Sequence, residues 1–265
     1  MERWQTKRIL VLGSTYPSHS KKYTEIACTG GIDVETCKMV RLHPVPMRYM
    51  EPGQRFKKFQ LIDVKIRPDE SDPRPESFRI EPNSIVLGEV VMNHALRRSY
   101  LDNSPHLIQS LEALKERQLA DGTSLGIIKP KDILDCGLEF RPESERADWM
   151  RSEEARLAQE KLFGDPVKPL DFPEARFMVE WNCDDERCTG RHRMGIEQWG
   201  IHELYRKLKN DKDCEAKVIQ QMQKQLDQWQ RDVFMFLGNF RALLYNFGLM
   251  DSYSAPAKDK SSLFT

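Results

Sequence analysis

Short apolar segments separated by proline and glycine fill the first 90 residues, and this pattern constrains the fold more than any other feature of the sequence. The segments are rich in β-branched and aromatic residues and lie at 7–13, 25–32, 37–43, 59–66, 77–80 and 85–90. Prolines break the chain between several of them, and no helical period of apolar residues occurs before residue 91. Strands this short, joined by such turns, predict a small β-barrel such as an OB-fold.

The rest of the chain alternates helical and extended patterns. Helices are predicted over 104–121, 141–165, 197–209 and 213–230, and strands over 124–129, 131–140, 176–181 and 232–239. Ser104-Pro105 is a typical helix start, with serine as the N-cap and proline at the first helical position. Residues 251–265 are dominated by polar and small side chains, which is typical of a disordered tail.

These patterns predict an α+β protein of two domains. We expect an OB-like β-barrel domain over residues 1–140, a mixed α/β domain over 141–250, and a disordered tail over 251–265. A chain of 265 residues is long enough to bury the cores of two such domains.

Positive charge is concentrated at the start of the chain. The sequence has 41 basic and 41 acidic residues, but residues 1–67 contain thirteen Lys and Arg against six acids. Such asymmetry is typical of a protein with one surface that meets a polyanion. The alternative is that these cations only solvate strand edges.

Aromatic residues are interleaved with the cations in and after the third predicted strand. Single-strand binding proteins combine cations that follow phosphates with rings that stack on bases. The candidate nucleic-acid contacts are therefore Arg41, Arg48, Tyr49, Arg55, Lys57 and Lys58. A second group of the same kind comprises Tyr16, His19, Lys21, Lys22 and Tyr23. Single-stranded DNA or RNA is the favoured partner.

Cys183, Cys188 and His192 lie close together between a predicted strand and a predicted helix. Thiolate and imidazole are the ligands that zinc prefers, and a structural zinc site is closed and four-coordinate. The spacing therefore predicts a structural zinc ion. The fourth ligand is open: Cys214, His202, Cys28 and Cys37 are the candidates. A catalytic zinc is the less favoured interpretation, with Glu197 or Glu203 as the general base.

Asp63-Val64-Lys65 on the fourth predicted strand is half of a nuclease signature, in which an acid and a lysine position a divalent metal and water. Asp33 or Glu25 would have to supply the missing acid. The match is two residues long, so a solvated strand face explains it better. No other catalytic constellation is apparent, and we lean towards a protein without enzymatic activity.

Six cysteines without a secretory signal indicate reduced thiols or metal ligands and favour a cytoplasmic protein. No apolar stretch approaches the roughly 20 residues of a membrane span. The helical regions 141–165 and 197–230 are rich in charged residues and are candidate docking surfaces for a protein partner.

Several motifs occur in the order found in a known family. They are Lys7-Arg-Ile-Leu-Val-Leu12, Cys28-Thr-Gly-Gly-Ile32, Val40-Arg-Leu-His-Pro44, Leu61-Ile-Asp-Val-Lys-Ile66 and Arg74-Pro-Glu-Ser77. Over residues 6–140 the chain thus resembles the dual-OB domain family, whereas the Cys/His part is similar to uncharacterised prokaryotic proteins. The resemblance implies an OB-fold and an antiviral or mobile-element context in prokaryotes. It supplies no catalytic residue.

The sequence as a whole favours a nucleic-acid-binding protein of a prokaryotic defence or DNA-maintenance system. Two alternatives stay open at this point. One is a metal-dependent nuclease that uses Asp63 and Lys65 or the Cys/His group. The other is an assembly subunit that binds a protein partner through its acidic helices.

Overall fold

The computed structural model describes residues 3–19, 25–160 and 169–257. Seven strands come first in the chain and form the first sheet. They are β1 (Gln5–Ser14), β2 (Ser18–His19), β3 (Glu25–Asp33), β4 (Met39–Val45), β5 (Gln60–Pro68), β6 (Ser77–Ile80) and β7 (Val86–Val90).

Five of these strands close into a barrel. The hydrogen-bonded order is β1-β3-β4-β6-β5, and β5 pairs again with β1 to complete the circle. All neighbours are antiparallel except β4 and β6, which run parallel. A small closed Greek-key barrel of five strands is OB-like. The predicted barrel is confirmed, because the first five strand signals in the sequence lie on its five strands. The sixth signal, at 85–90, lies on β7, which pairs with β5 outside the circle.

The remaining elements form the second half of the fold. The helices are α1 (His94–Asp102), α2 (Leu111–Asp121), α3 (Glu143–Glu160), α4 (Trp199–Leu208) and α5 (Cys214–Gln225). The strands are β8 (Leu125–Ile128), β9 (Asp132–Phe140), β10 (Ala175–Asn182), β11 (His192–Ile196), β12 (Arg231–Phe240) and β13 (Leu243–Pro256). They pair as β8-β12-β13-β11-β10-β9, and α5 packs on β9 and β13. The α+β class is confirmed.

The first strand is buried on both faces, which explains its unbroken apolar run. Ile9 and Val11 point into the barrel, whereas Leu10 and Leu12 point outwards and contact the second sheet. None of the four is more than 1% exposed. Successive side chains of a strand point to opposite faces, so one run of four residues contributes to two cores.

The strand β12 of the second sheet is likewise buried on both faces. Its Phe234 and Phe236 join Leu10 and Leu12 in the core between the sheets. Its alternate residues Val233, Met235 and Leu237 pack under the helices of the second half. The described residues therefore form three cores, inside the barrel, between the sheets and beneath the helices, and β1 and β12 each contribute to two of them.

An ion pair between a buried carboxylate and a lysine that is 32% exposed also joins the two halves. Lys58 Nζ, just before β5, lies 2.5 Å from Asp251 Oδ1 in β13, and Gln198 Nε2 donates to the same oxygen at 2.7 Å. Asp251 is 4% exposed, and burial raises its pKa. Gly13 is required beside it, because a Cβ there would lie 2.2 Å from Asp251 Oδ2.

Several sequence-based boundaries differ from the structure. The domain boundary predicted at residue 140 does not follow the sheets, because β8 and β9 pair within the second one. The tail predicted from residue 251 is wrong for residues 251–256, which continue β13 and pair with β12. Ser, Ala and Pro suggested disorder there, yet alternate residues such as Tyr253 and Ala255 are buried. Residues 258–265 lie outside the described part.

The two helices that follow the barrel also differ from the prediction. The predicted helix at 104–121 begins at Leu111 with Ser110 as its N-cap, so Ser104 is not the cap. The preceding helix α1, which Asn93 caps, had not been predicted. Within the described residues, no helix has both the length and the apolar character that a membrane crossing requires.

Removing the charge of Lys58 is predicted to destabilise the junction. Lys58→Met leaves the buried Asp251 carboxylate without its cation, and we expect the free energy of unfolding to fall by about 3 kcal/mol. The loss should shrink as the pH falls, because a protonated Asp251 needs no cation and its pKa is already raised. Urea unfolding at several pH values measures both effects.

Lys57→Met is the matched control, since Lys57 is exposed and adjacent in sequence. It should change the free energy of unfolding by no more than about 0.5 kcal/mol. Equal losses in the two variants, or a Lys58→Met loss that grows at lower pH, would contradict this account of the junction.

Candidate functional site

The two cysteines of the predicted metal site lie on the loop that joins β10 and β11. These strands pair with Trp181 opposite His192, so the loop brings Cys183, Cys188 and His192 back to one point. The ring of Trp181 lies 4.8 Å from that of His192 and orients it. Gly190 has a φ of +107°, a backbone conformation that favours glycine and allows the tight return.

The fourth member of the cluster comes from the first turn of α2. Glu112 Oε1 lies 3.4 Å from His192 Nε2. Ser110, the N-cap of this helix, donates from Oγ to Asp185 Oδ2 at 2.6 Å and so ties the helix to the cysteine loop. Arg187 of the loop also forms an ion pair with Glu116 of α2. These contacts hold Glu112 over the two sulfurs.

The ligand atoms of the four groups lie close together. The His192 Nε2 atom lies 3.3 Å from Cys183 Sγ and 3.2 Å from Cys188 Sγ, and all four ligand atoms lie within 4.8 Å of one another. A zinc ion with ordinary bond lengths separates its ligands by roughly 3.3–3.8 Å. The Glu112, Cys183, Cys188 and His192 cluster could therefore hold a metal ion.

Backbone amides support both sulfurs. Leu111 N donates to Cys183 Sγ at 3.3 Å, and Cys183 N donates to Cys188 Sγ at 3.4 Å. Burial raises the pKa of the Cys183 thiol to about 12. Such outer contacts fix the direction of metal ligands in known sites.

The four residues considered as the fourth ligand lie elsewhere. Cys28 and Cys37 belong to the barrel side, Cys214 Sγ contacts Tyr205 O, and His202 stacks on Tyr16. Glu112 takes that place instead. Sequence reasoning missed it because it precedes Cys183 by 71 positions and lies on another element. Its only local signal is the position just after a helix N-cap.

A cleft of about 440 Å³ opens between the barrel and the second sheet. Its barrel wall is formed by the outer ends of β3 and β4, with Cys28 and His43, and by the loop between β5 and β6. Its other wall is the turn between β12 and β13, with Phe240 and Arg241. The opposite ends of β3 and β4, at Ile32 and Met39, are covered by the core between the sheets.

Arginines dominate the lining of this cleft. Among the described residues, four guanidinium groups and two carboxylates line it, from Arg41, Arg74, Arg79, Arg241, Asp69 and Glu197. Arg79 is paired with Asp69 at 2.9 Å. Arg241 is exposed and donates to the backbone carbonyl of Ser71 at 2.6 Å, which links the two walls.

Arg41 lies at the bottom of the cleft and is only 2% exposed. It donates to the carbonyl oxygens of Ser124 and Asn239, and Arg74 donates to the same Asn239 oxygen. Burial, together with the Arg74 charge, lowers the pKa of Arg41 to about 10. The Nε of Arg41 is buried and has no hydrogen-bond partner among the described residues. This donor is closed to solvent, so it lies behind the surface of the cleft.

A second cavity, of about 430 Å³, adjoins the first and has a different character. Rings line it, from Tyr16, His19, Trp149, Phe172 and His202. Tyr16 stacks on His202 at 4.8 Å, and His19 lies 4.1 Å from Trp149. Burial lowers the pKa of His202 to about 4, so its ring is neutral at pH 7.

The predicted nucleic-acid contacts do not form one open surface. Arg41 is inside the cleft, and Lys58 is engaged with Asp251. Arg48 donates to the carbonyl of Pro169 and is half-buried, as is Tyr49. Arg55 and Lys57 are exposed on the loop between β4 and β5. In the second predicted group, Tyr16 and His19 line the ring-bearing cavity, whereas Lys21, Lys22 and Tyr23 lie outside the described residues.

Both charged residues of the nuclease half-motif form ion pairs within the barrel. Arg8 donates through two nitrogens to the Asp63 carboxylate at 2.7 and 2.8 Å and lowers its pKa. Lys65 lies 3.5 Å from Glu81, and Asp33 lies near Lys7. Among the described residues, whose side chains do not include Glu25, no group of potential metal ligands forms around Asp63.

Metal content tests the cluster directly. We expect the purified protein to contain about one equivalent of bound metal, and Cys183→Ser to lose it, because three ligands bind far more weakly than four. Glu112→Ala should lower the content as well, whereas Cys214→Ser, another buried cysteine outside the cluster, should retain it. Elemental analysis gives the result. Full metal content in Cys183→Ser would show that this cluster is not the metal site.

Comparison with known proteins gives two family matches. Residues 5–103 match the family described as Domain of unknown function (DUF8758), and residues 107–265 match that described as Domain of unknown function (DUF8757). No curated protein matches. A chain in "Structure and Conformational Change of a Replication Protein A Heterotrimer Bound to ssDNA" is 10% identical over 99% of this chain and 68% of that chain. Its TM-score of 0.24 is too low to carry an argument. Because the second family match spans more than half of the residues, the chain belongs to the DUF8757 family.

Proposed function

We propose that the protein binds single-stranded nucleic acid in the arginine-lined cleft. The observation that carries this proposal is the position of the cleft on the barrel. OB-folds bind oligonucleotides on the face of their second and third strands, between the loop after the first strand and the loop after the fourth. In this barrel those strands are β3 and β4, and the corresponding loops contribute Tyr16 and Ser71 to the cleft.

The chemistry of the lining supports the same partner. Guanidinium groups bind phosphate oxygens with paired hydrogen bonds, and four of them line the cleft among its described residues. Arg74 is paired with Asp72 and Arg79 with Asp69, whereas Arg241 is exposed at the rim. Phe240, which is 41% exposed at the edge, offers a ring for base stacking.

For the Glu112, Cys183, Cys188 and His192 cluster we propose a structural zinc ion. Two sulfurs and one imidazole favour zinc over magnesium or calcium, which prefer oxygen ligands. Glu112 occupies the position that a catalytic site keeps open for water. The ion would fasten the β10–β11 loop to α2 and would take no part in binding nucleic acid.

The other predicted functions receive less support. A metal-dependent nuclease stays a prediction, since the Asp63 carboxylate is engaged with Arg8. A protein partner bound through the acidic helices also stays a prediction. So does a role in prokaryotic defence, which the family resemblance implies.

Arg241→Ala tests the cleft. We expect weaker binding of a fluorescent single-stranded oligonucleotide and a salt dependence reduced by about one phosphate contact. Arg241 is exposed and makes a single described hydrogen bond, so the variant should fold. Fluorescence anisotropy between low and moderate salt gives the affinity and its slope.

The matched variant is Arg55→Ala, on the exposed loop predicted from sequence. If the cleft is the site, this variant should bind nearly as well as the unmodified protein. The reverse pattern would move the site to the loop between β4 and β5. Affinity that is weak and flat in salt for all single strands would remove the proposed function.

A further inference from the structure

Glu197 lies where the two cavities meet, on the segment between β11 and α4. The ring-lined cavity and the arginine-lined cleft share three lining residues, namely Tyr16, Ser18 and Glu197. The two cavities are therefore adjacent and meet at this carboxylate, and together they are called the groove. Most of the rings line one cavity, and the four arginines named above line the other, although Arg141 also lines the ring-bearing cavity.

The backbone on both sides fixes the position of Glu197. Its N–H donates to Leu249 O at 2.8 Å, and its carbonyl accepts from Tyr16 N at 2.9 Å. Glycines leave space for the side chain, because a Cβ on Gly195 would lie 3.0 Å from Oε1 and one on Gly248 would lie 3.4 Å from Cγ. The carboxylate is therefore held in the groove by the sheet and by the loop after β1.

The Glu197 carboxylate has no hydrogen bond or ion pair with any described residue, although it is partly withdrawn from water. Burial raises its pKa, and the charges of Arg141 and Arg176 oppose that rise. A desolvated carboxylate without a donor is costly, and most buried polar groups have a partner. A ligand that brings hydroxyl or amino donors to this point would satisfy it.

The sugar is the part of a nucleotide that links the base to the phosphate. With a base among the rings and a phosphate among the arginines, the sugar lies beside Glu197. We infer that the groove selects RNA over DNA, with the Glu197 carboxylate accepting a hydrogen bond from a ribose 2′-hydroxyl. This inference rests on the proposed function and specifies which class of nucleic acid is bound. The 2′-hydroxyl is the group that distinguishes RNA from DNA at a given position.

Acidic side chains around the ring-lined cavity support this orientation of the strand. Glu145, Asp148 and Arg141 line that cavity, and Arg141 lies 3.1 Å from Glu145, so the lining keeps a small excess of acids, whereas the arginine-lined cleft has an excess of cations. This difference in charge favours phosphates at the arginines over the rings, which places the base among the rings. A base amino group is the other donor that a strand offers to Glu197. Strands of identical base sequence with different sugars separate these two donors.

The first test needs no variant. Oligoadenylates of about 12 nucleotides, within the usual range for one or two OB-folds, are compared as RNA, DNA and 2′-O-methyl RNA by fluorescence anisotropy at one salt concentration. We expect RNA to bind about tenfold or more tightly than DNA, the usual effect of one hydrogen bond to a charged group. The 2′-O-methyl strand should resemble DNA, because its 2′-oxygen has no proton to donate.

The second test assigns the preference to the side chain. Glu197→Ala should reduce the RNA-to-DNA ratio to near one, and Glu197→Gln should lie between, since its amide oxygen still accepts a hydrogen bond. Glu180→Gln is the control, as Glu180 is a half-buried glutamate of β10 that lines neither cavity. It should keep the ratio of the unmodified protein. Thermal unfolding verifies that each variant folds.

Failure of this inference can be distinguished from failure of the proposed function. Equal affinity for the RNA and DNA strands, or a preference that persists in Glu197→Ala, overturns the role of Glu197 and leaves nucleic-acid binding in place. No binding of either strand overturns both. A preference shared by RNA and 2′-O-methyl RNA but absent for DNA also contradicts the inference, because shape rather than hydroxyl donation would then be recognised.

Discussion

The structure depends on burying two strands on both faces. In β1, Ile9 and Val11 fill the barrel while Leu10 and Leu12 meet the second sheet, and in β12 the phenylalanines and their neighbours divide in the same way. Because side chains alternate along a strand, neither strand can shift by one residue without exchanging two cores. The relative placement of barrel and second sheet is thus fixed by packing, and the groove between them is a consequence of that placement.

Polar contacts complete this junction where the apolar core ends. Arg41 and Arg74 share the carbonyl of Asn239, and Lys58 reaches the buried Asp251. An outward-facing arginine of an isolated barrel would be a surface residue, but here the second sheet encloses it. The second sheet covers one end of the barrel strands β3 and β4, and the arginine-lined cleft lies at their other end.

The sequence predicts the local features well and the long-range ones poorly. The barrel strands and the Cys183, Cys188 and His192 group were found because each signal lies within a few consecutive residues. Glu112 was missed because helix α2 approaches the cysteine loop only in three dimensions. Arg41 was predicted to lie on a surface, because the residues next to it in sequence give no sign that the second sheet buries it. The ending of β13 was taken for a tail because its small polar residues resemble those of disordered segments.

The shared core has a consequence for how the two matched segments can exist. Residues 5–103 alone would present Leu10, Leu12 and Phe59 to water, together with the guanidinium of Arg41 stripped of its carbonyl acceptors. Residues 107–265 alone would leave Phe234 and Phe236 uncovered. Each segment alone would therefore expose apolar surface that the other one covers, and we expect the two to be stable only together.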